Sequence, residues 1–260
     1  DGRNGITKAM EELAVDPTMQ EYFQNFVENA SNAAVLLNAD PPDHRRQRKA
    51  VNRAFRPKRL RGMEPTIEKV TNDLLDISVG NGEMEFVGEF AVGLPMMIIA
   101  YALGVKTDDL ATFKKWSDDL VMPVGNPDPS VDQVRGYLIS VSEFNNFFGQ
   151  LLQQRREESQ EDIISDVANA EVNNEMLNEA EMLSMLQQFL VAGNETTTKL
   201  LTNLMHRLAV EDDLEDTLRN EPDLIENFIE EGLRFEAPVG GLFRMAKSDS
   251  MVNGTEIKAG

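Results

Sequence analysis

Three segments of the sequence combine residue types that bind anions or transfer protons. The first contains His44 and Arg48, which stand four residues apart and therefore share one face of a predicted helix. Two nitrogen donors in this arrangement suit the oxygens of a carboxylate or a phosphate. The predicted helix follows two prolines, and we expect Asp40 to cap its N-terminus.

The residues from His44 to Arg61, called the basic segment below, reverse the charge of the chain locally. They include nine of the 25 Lys and Arg residues and no acidic residue, in a sequence whose formal charge is −20. These residues fit two interpretations: a solvated basic helix, or an anion site that also docks an acidic partner.

The second segment lies in the middle of a long helix predicted from about 182 to 209. It reads Ala-Gly-Asn-Glu-Thr-Thr-Thr from Ala192. Glycine costs roughly 1 kcal/mol in a helix relative to alanine, and broken local rules are typical of functional sites. Ala192, Gly193 and Thr196 are expected to share a face that a flat ligand can approach, with Glu195 adjacent. The alternative is close helix–helix packing through Gly193.

The third segment contains Glu231 and Arg234, which can pair on one helix face. Such pairs are common on surfaces and contribute only about 0.2–0.5 kcal/mol. Arg244 follows on an otherwise apolar stretch, where a buried guanidinium would need an anion.

Helices are predicted for most of the chain before residue 235, because apolar residues recur at intervals of three and four. Helix starts are predicted at 16–17 and 107–109. Beyond Pro238, short strands are predicted at 242–246 and 251–257, the second around an Asn-Gly hairpin signal. Breaks are predicted at 40–42, Pro57, 80–82 and 123–129.

The composition excludes several classes of protein. With 45 acidic and 25 basic residues, the chain is not a generally basic nucleic-acid binder. The absence of cysteine excludes disulfides, thiolate metal sites and cysteine nucleophiles within these 260 residues. The longest apolar run, at 94–103, is well short of the ~20 residues that span a bilayer.

Taken together and in this order, the three segments resemble the cytochrome P450 superfamily of haem-thiolate monooxygenases, particularly its soluble bacterial members. Residues 40–48 resemble the C-helix motif, residues 192–197 the oxygen-activation motif of the I helix, and residues 231–234 the K-helix motif. The resemblance implies a mainly α, triangular fold with a long central helix and a small β portion. It implies one partial domain over residues 1–260.

The resemblance also implies a haem b cofactor and a set of residues around it. The residues expected to contact the haem are His44, Arg48 and Arg244 at its propionates, and Ala192 and Gly193 over its distal face.

The remaining site residues have expected roles in catalysis or in the fold. Thr196 is expected to hold dioxygen and a water at the haem, and Glu195 to relay protons. Glu231 and Arg234 are expected to form a buried structural pair near the proximal side.

The family's axial ligand is a cysteine thiolate, and this chain contains no cysteine. The family's layout places that cysteine beyond Gly260, and the chain begins at Asp1 rather than Met. We therefore expect an internal fragment that is inactive by itself. Its parent protein is expected to hydroxylate a hydrophobic small molecule with O2, inside the cytoplasm.

The expected electron donor is an acidic ferredoxin or flavodoxin that docks on the basic segment, at Arg45, Arg46 and Lys49. No nucleic-acid partner and no membrane span are expected. Two other classes stay open at this point. A non-catalytic, all-helical ligand-binding or scaffold protein would leave the unfavourable residues 192–198 and Arg244 unexplained. A nucleic-acid regulator is opposed by the net charge and by the lack of aromatic residues among the arginines.

Overall fold

Helices dominate the computed structural model. The chain divides into two compact units, residues 1–198 and residues 199–260. The single partial domain over 1–260 stays a prediction. The structure describes residues 5–30, 34–106, 110–126, 128–172, 175–242 and 244–260.

Within the described ranges, most residues before residue 235 are helical, as predicted. No helix in these ranges is both long enough and apolar enough to cross a membrane. The α helices are α1 (Gly5–Leu13), α2 (Gln20–Ala30), α3 (Asp43–Val51), α4 (Pro57–Val79), α5 (Gly93–Leu103), α6 (Leu110–Gly125), α7 (Val131–Glu157), α8 (Ile163–Ala168), α9 (Glu179–Val210), α10 (Leu214–Asn220) and α11 (Ile225–Phe235). The antiparallel strand pairs are β1 (Glu171–Val172) with β2 (Glu175–Met176), and β3 (Ser250–Val252) with β4 (Thr255–Ile257).

Proline and glycine set the ends of α4, as the sequence predicts. Pro57 is its first residue, where the missing N–H costs nothing and the fixed φ suits a helix. The helix ends at Val79, directly before Gly80. The predicted break at 123–129 begins inside the last turn of α6, which contains Pro123, and otherwise lies on the approach to α7.

Two predicted helix starts are wrong in detail. α3 begins at Asp43 and its N-cap residue is Pro42, where Asp40 was predicted, while the backbone carbonyl of Asp40 accepts the N–H of His44 at 3.0 Å. Asp16 closes a turn by accepting the N–H two residues on, and α2 begins only at Gln20. The start predicted at 107–109 lies outside the described residues.

The predicted hairpin at the C-terminal end is confirmed. Asn253 and Gly254 both have positive φ, 46° and 80°, which is the geometry that a two-residue hairpin turn requires. The strand predicted at 242–246 is wrong for the residues described there, which pair with no other strand. Alternating apolar residues form a strand only when a partner supplies the ladder of hydrogen bonds.

The core of residues 1–198 is built along α7, whose buried residues recur every three or four positions. Its first half, with Val134 and Leu138, packs against α1 and α2. Its second half, with Phe144 and Phe148, packs with residues of α3, α5, α6, α8 and α9. Ser130 starts the helix with a capping box.

The end of α5 requires a glycine. Gly104 has a φ of 78°, and the N–H groups of Gly104 and Val105 bond the carbonyls of the last helical turn at 2.9 and 3.0 Å. A Cβ at this position would overlap the carboxylate of Asp162. The absence of a side chain therefore permits both the left-handed turn and the close approach of α8.

A buried ion pair closes this junction. Arg155 of α7 donates its Nε to Asp162 at 2.6 Å and its Nη2 to the carbonyl of Gly104 at 3.1 Å. Asp162 also caps α8 by accepting the N–H of Ser165 at 2.6 Å. The two charged side chains are only 9% and 4% exposed, so each depends on the other for compensation.

A second junction joins α3 to the start of α9 through the carboxylate of Glu181. The carboxylate accepts the guanidinium of Arg46 and the amide Nε2 of Gln47, both on α3, the latter at 3.2 Å. It also forms a capping box with Asn178, accepting its N–H at 3.0 Å while Oδ1 of Asn178 accepts the N–H of Glu181 at 2.9 Å. One ionised group thus fixes two helices.

We expect Asp162→Ala to lower the free energy of unfolding by about 3–5 kcal/mol, because it leaves Arg155 buried without its partner. Urea denaturation measures this. The control is Asp118→Ala, which removes an exposed i,i+4 pair with Lys114 and should cost about 0.5 kcal/mol or less. Equal losses in the two variants would contradict the assigned role.

The pH dependence of stability should report on Glu181. Burial opposes its ionisation, but the hydrogen bonds from Arg46, Asn178 and Gln47 prevail, so its pKa lies below the ordinary value of 4.5. A lowered pKa stabilises the fold above the ordinary value, and this stabilisation is lost as the pH falls through the lowered one.

Glu181→Gln should therefore cost about 2 kcal/mol at pH 7, and the difference from the native chain should shrink as the pH falls below the ordinary value of 4.5. Urea denaturation at a series of pH values measures it. The control is Glu179→Gln, which removes the same charge from an exposed position two residues before Glu181. A pH-independent difference would rule out the ionised form as the stabilising one.

Candidate functional site

The residues 192–198 lie inside α9 without interrupting it, and the predicted long helix is confirmed over Glu179–Val210. The hydroxyl of Thr196 donates to the carbonyl oxygen of Ala192 at 2.8 Å. Such a bond to the preceding turn satisfies the hydroxyl within the helix and tends to bend it. Ala192 is exposed and Thr196 is partly exposed, so both are accessible from one side of the helix.

Gly193 faces a different direction. A Cβ at this position would lie 3.1 Å from Cγ1 and Cδ1 of Ile99 on α5, which is tighter than an ordinary contact. Consecutive residues of a helix point about 100° apart, so Gly193 can pack on α5 while Ala192 does not. In this structure Ala192 and Thr196 are accessible whereas Gly193 faces Ile99, and the expected contact of Gly193 with a haem stays a prediction. The packing interpretation of Gly193 describes this structure.

Asn194 is a site residue that the sequence analysis did not identify. Its side chain is buried, and its Nδ2 donates to Ser117 Oγ of α6 at 3.1 Å and to Glu195 Oε1 at 3.4 Å. Thr198 donates to the carbonyl oxygen of Ala91 at 2.9 Å, in the π-helical turn before α5. The available signal was the amide itself, because a buried amide within an apolar helix face requires polar partners.

The candidate anion donors lie on α3, where His44 is partly exposed and Arg48 is exposed. Spaced by four residues, they project from the same side of the helix. Within the part of the chain that the structure describes, neither side chain has an ion-pair or hydrogen-bond partner. Both are therefore available to an external anion.

Other arginines of the basic segment are already engaged. Arg46 binds Glu181, and Arg53 and Arg59 both bind Asp166 of α8, Arg53 at 3.3 Å. The local reversal of charge is thus partly neutralised by carboxylates that are distant in sequence. The expectation that Arg46 belongs to an exposed docking surface is wrong, because its guanidinium is bonded to a nearly buried carboxylate.

In the unit of residues 199–260, Glu231 and Arg234 form the expected pair. Two hydrogen bonds join them, at 2.7 and 2.6 Å, and the bond from Arg234 lowers the pKa of Glu231. The expected burial is wrong: their side chains are 60% and 67% exposed. Within this unit α11 turns Gly232 toward Leu204 of α9 and leaves the pair on a solvated face. A pair so exposed contributes little to stability.

Arg244 lies in the irregular stretch between α11 and β3, and its side chain is exposed. The expected site residues therefore fall in both units. Within residues 1–198 the structure brings His44 beside Arg48 and Thr196 beside Ala192. Within residues 199–260 it brings Glu231 beside Arg234.

Comparison with known proteins extends the description. A putative cytochrome P450 of Bacillus subtilis, YjiB, is 35% identical over 86% of this chain and 57% of its own length. A steroid C26-monooxygenase of Mycobacterium tuberculosis is 31% identical over 87% of this chain and 60% of its own length. The chain thus spans little more than half the length of these relatives.

Solved structures agree with the predicted fold class. The crystal structure of CYP109E1 from Bacillus megaterium in complex with testosterone aligns with a TM-score of 0.79 and 33% identity, over 88% of this chain and 61% of that one. The mainly α fold with a long helix and little β structure is confirmed. The family model for cytochrome P450 matches residues 7–260. Nearly every described element is covered by that match, and the chain belongs to the cytochrome P450 family.

Proposed function

We propose that this chain is part of a haem monooxygenase that uses O2 to hydroxylate a hydrophobic small molecule. The observation that carries the proposal is the side of α9 that presents the Thr196 hydroxyl and the Ala192 methyl, in a chain of the cytochrome P450 family. The name of the mycobacterial relative and the testosterone bound to CYP109E1 support a hydrophobic substrate.

The residues of the chain fit the haem b that this family uses. Haem is flat and carries two propionate groups, and His44 and Arg48 are donors on one helix face with no carboxylate partner among the described residues. The short side chain of Ala192 leaves room for a flat ring against α9. Arg244, in the second unit, is proposed as a third propionate donor. When bound, the haem would supply the activation of O2.

Thr196 and Glu195 are proposed to take part in proton transfer. A threonine hydroxyl has one proton to donate and two lone pairs to accept with. Because the proton is committed to the Ala192 carbonyl, the lone pairs are free to hold a water beside the ring. Glu195 is held in place by the amide of Asn194 and can exchange protons with such a water.

The thiolate that holds the haem iron in this family would have to come from outside these 260 residues. Cytochromes P450 use a cysteine thiolate, and this sequence contains no cysteine. The monooxygenase activity is therefore proposed for the longer protein that includes such a thiolate.

Electrons are proposed to come from an acidic ferredoxin or flavodoxin that docks on α3. Arg45 and Lys49 are exposed and, within the described ranges, have no ion-pair partner. A positive patch on a chain of charge −20 attracts an acidic protein selectively, and the attraction weakens as salt is added. Arg46 is excluded from this surface by its bond to Glu181.

In the longer, haem-loaded protein, Thr196→Ala should reduce product formed per O2 consumed by about tenfold or more, because general acid–base groups contribute about 10²–10⁴-fold. Substrate binding and the carbon monoxide difference spectrum of the reduced protein should not change. Thr196→Ser should restore most of the yield. Thr197→Ala, at an exposed neighbouring position, is the matched control.

Two results would contradict this proposal. Equal product yields for Thr196→Ala and Thr197→Ala would remove Thr196 from the chemistry. If the carbon monoxide difference spectrum of the reduced protein lacked the thiolate-type band, the protein would not be a haem-thiolate monooxygenase.

Arg45→Glu combined with Lys49→Glu should slow reduction by an acidic ferredoxin about tenfold at low salt, because steering by charge raises association rates by 10-fold or more. Stopped-flow reduction measures the rate, and substrate binding should be unchanged. The control is Lys8→Glu with Lys199→Glu, an equal charge change at exposed positions of α1 and α9. A similar loss in both double variants would indicate a general charge effect and no docking site on α3.

A further inference from the structure

A large cleft in the unit of residues 1–198 has no role in the function proposed above. Its volume is approximately 1440 Å³. The cleft lies between the start of α4, the end of α5 and the helices α6, α7 and α8. Pockets for drug-sized ligands usually measure about 300–1,000 Å³, so this cleft has room for one. None of the residues expected at the haem lines it.

The floor of the cleft is aromatic. The rings of Phe113 and Phe147 meet edge to face with centroids 5.8 Å apart, and Trp116 lies 5.6 Å from Phe147. The indole N–H of Trp116 donates to Glu143 at 3.0 Å, so its polar edge is already satisfied. Tyr101, half exposed, forms part of the wall. Phe113 and Trp116 are only 3% and 4% exposed, so Phe147 and Tyr101 present most of this aromatic surface. It favours an apolar body, particularly a ring that can pack edge to face.

The rim of the cleft is positively charged. Six cations and three carboxylates line the cleft, which leaves a local charge of +3 in a chain whose formal charge is −20. Asp162 and Asp166 are bonded to arginines of the same lining. Arg56, Lys58 and Lys106 have no ion-pair partner within the described residues.

We propose that this cleft binds a small amphipathic anion, with an aromatic or alkyl body and one carboxylate, sulfate or phosphate group. The body would cover the aromatic floor, and the anionic group would meet Arg56 and Lys58 through charge-assisted hydrogen bonds. A neutral apolar molecule would leave the rim unmatched. An inorganic anion would leave the floor in contact with water. A concave cleft lined by both aromatic and charged side chains suits a small molecule better than the surface of a folded protein.

The chain carries its own probe of the cleft, because Trp116 is its single tryptophan. Titration with 4-iodobenzoate should quench part of the fluorescence of Trp116 and reach saturation, since the indole lines the cleft but is only 4% exposed. The neutral 4-iodobenzamide has nearly the same shape and should bind about tenfold more weakly. Inorganic phosphate should compete with 4-iodobenzoate only at concentrations at least about tenfold higher than the acid needs.

Three variants separate the rim from the floor. Arg56→Gln with Lys58→Gln should weaken binding of the acid about tenfold and leave the amide unchanged. Lys8→Gln with Lys199→Gln removes the same charge outside the lining and should leave both probes unchanged. Gly62→Leu should weaken both probes, because a Cβ at this lining position meets nothing within 4 Å and the added side chain extends into the cleft.

Circular dichroism and thermal unfolding of each variant show whether the fold is retained. Weaker binding by a Gly62→Leu variant whose fold is unchanged supports binding of the probes in the cleft. The proposal is overturned by equal affinity for the acid and the amide, by equal effects of the two double variants, or by phosphate competing as well as the acid. It is also overturned if neither probe binds, and binding of an acidic ferredoxin to this rim would then assign the cations to a protein interface.

Discussion

The geometry of the candidate site depends on one ionised side chain, the carboxylate of Glu181. It caps the first turn of α9 and, with the same oxygens, accepts Arg46 and Gln47 of α3. The helix that carries His44 and Arg48 and the helix that carries the oxygen-motif residues are therefore tied together at a single charge. These bonds fix the site residues of α3 relative to those of α9, which flexible loops between the helices would not achieve.

The middle of α9 shows how a helix retains residues that disfavour it. Asn194 and Thr198 find partners on α6 and in the turn before α5, and Thr196 is satisfied within the helix. The propensity cost of roughly 1 kcal/mol for a glycine is offset by packing, because Gly193 lets α5 approach closely. The unfavourable residues of this stretch therefore have two separate purposes. Some attach the helix to its neighbours, and others leave a polar group accessible on the opposite side.

Features that depend on residues close together in the sequence could be predicted, whereas features that depend on residues far apart in the sequence could not. The period of α9 and the Asn-Gly turn are local signals, and both predictions are confirmed. The roles within the basic segment depend on carboxylates far away in the sequence, since Arg46 and Arg59 bind partners 135 and 107 residues distant. No local pattern reveals which arginines are engaged in this way. The pairing of Glu231 was predictable from its spacing, whereas its exposure is decided by what packs on α11.

The contact between Gly193 and Ile99 also couples the sizes of the side chains at two positions. A β-carbon at position 193 would be 3.1 Å from two atoms of the isoleucine and 3.3 Å from a third, so an alanine or serine there would require the isoleucine to move by a few tenths of an ångström. A larger residue at position 193 therefore displaces the side chain at position 99, and a smaller residue on α5 would relieve that displacement.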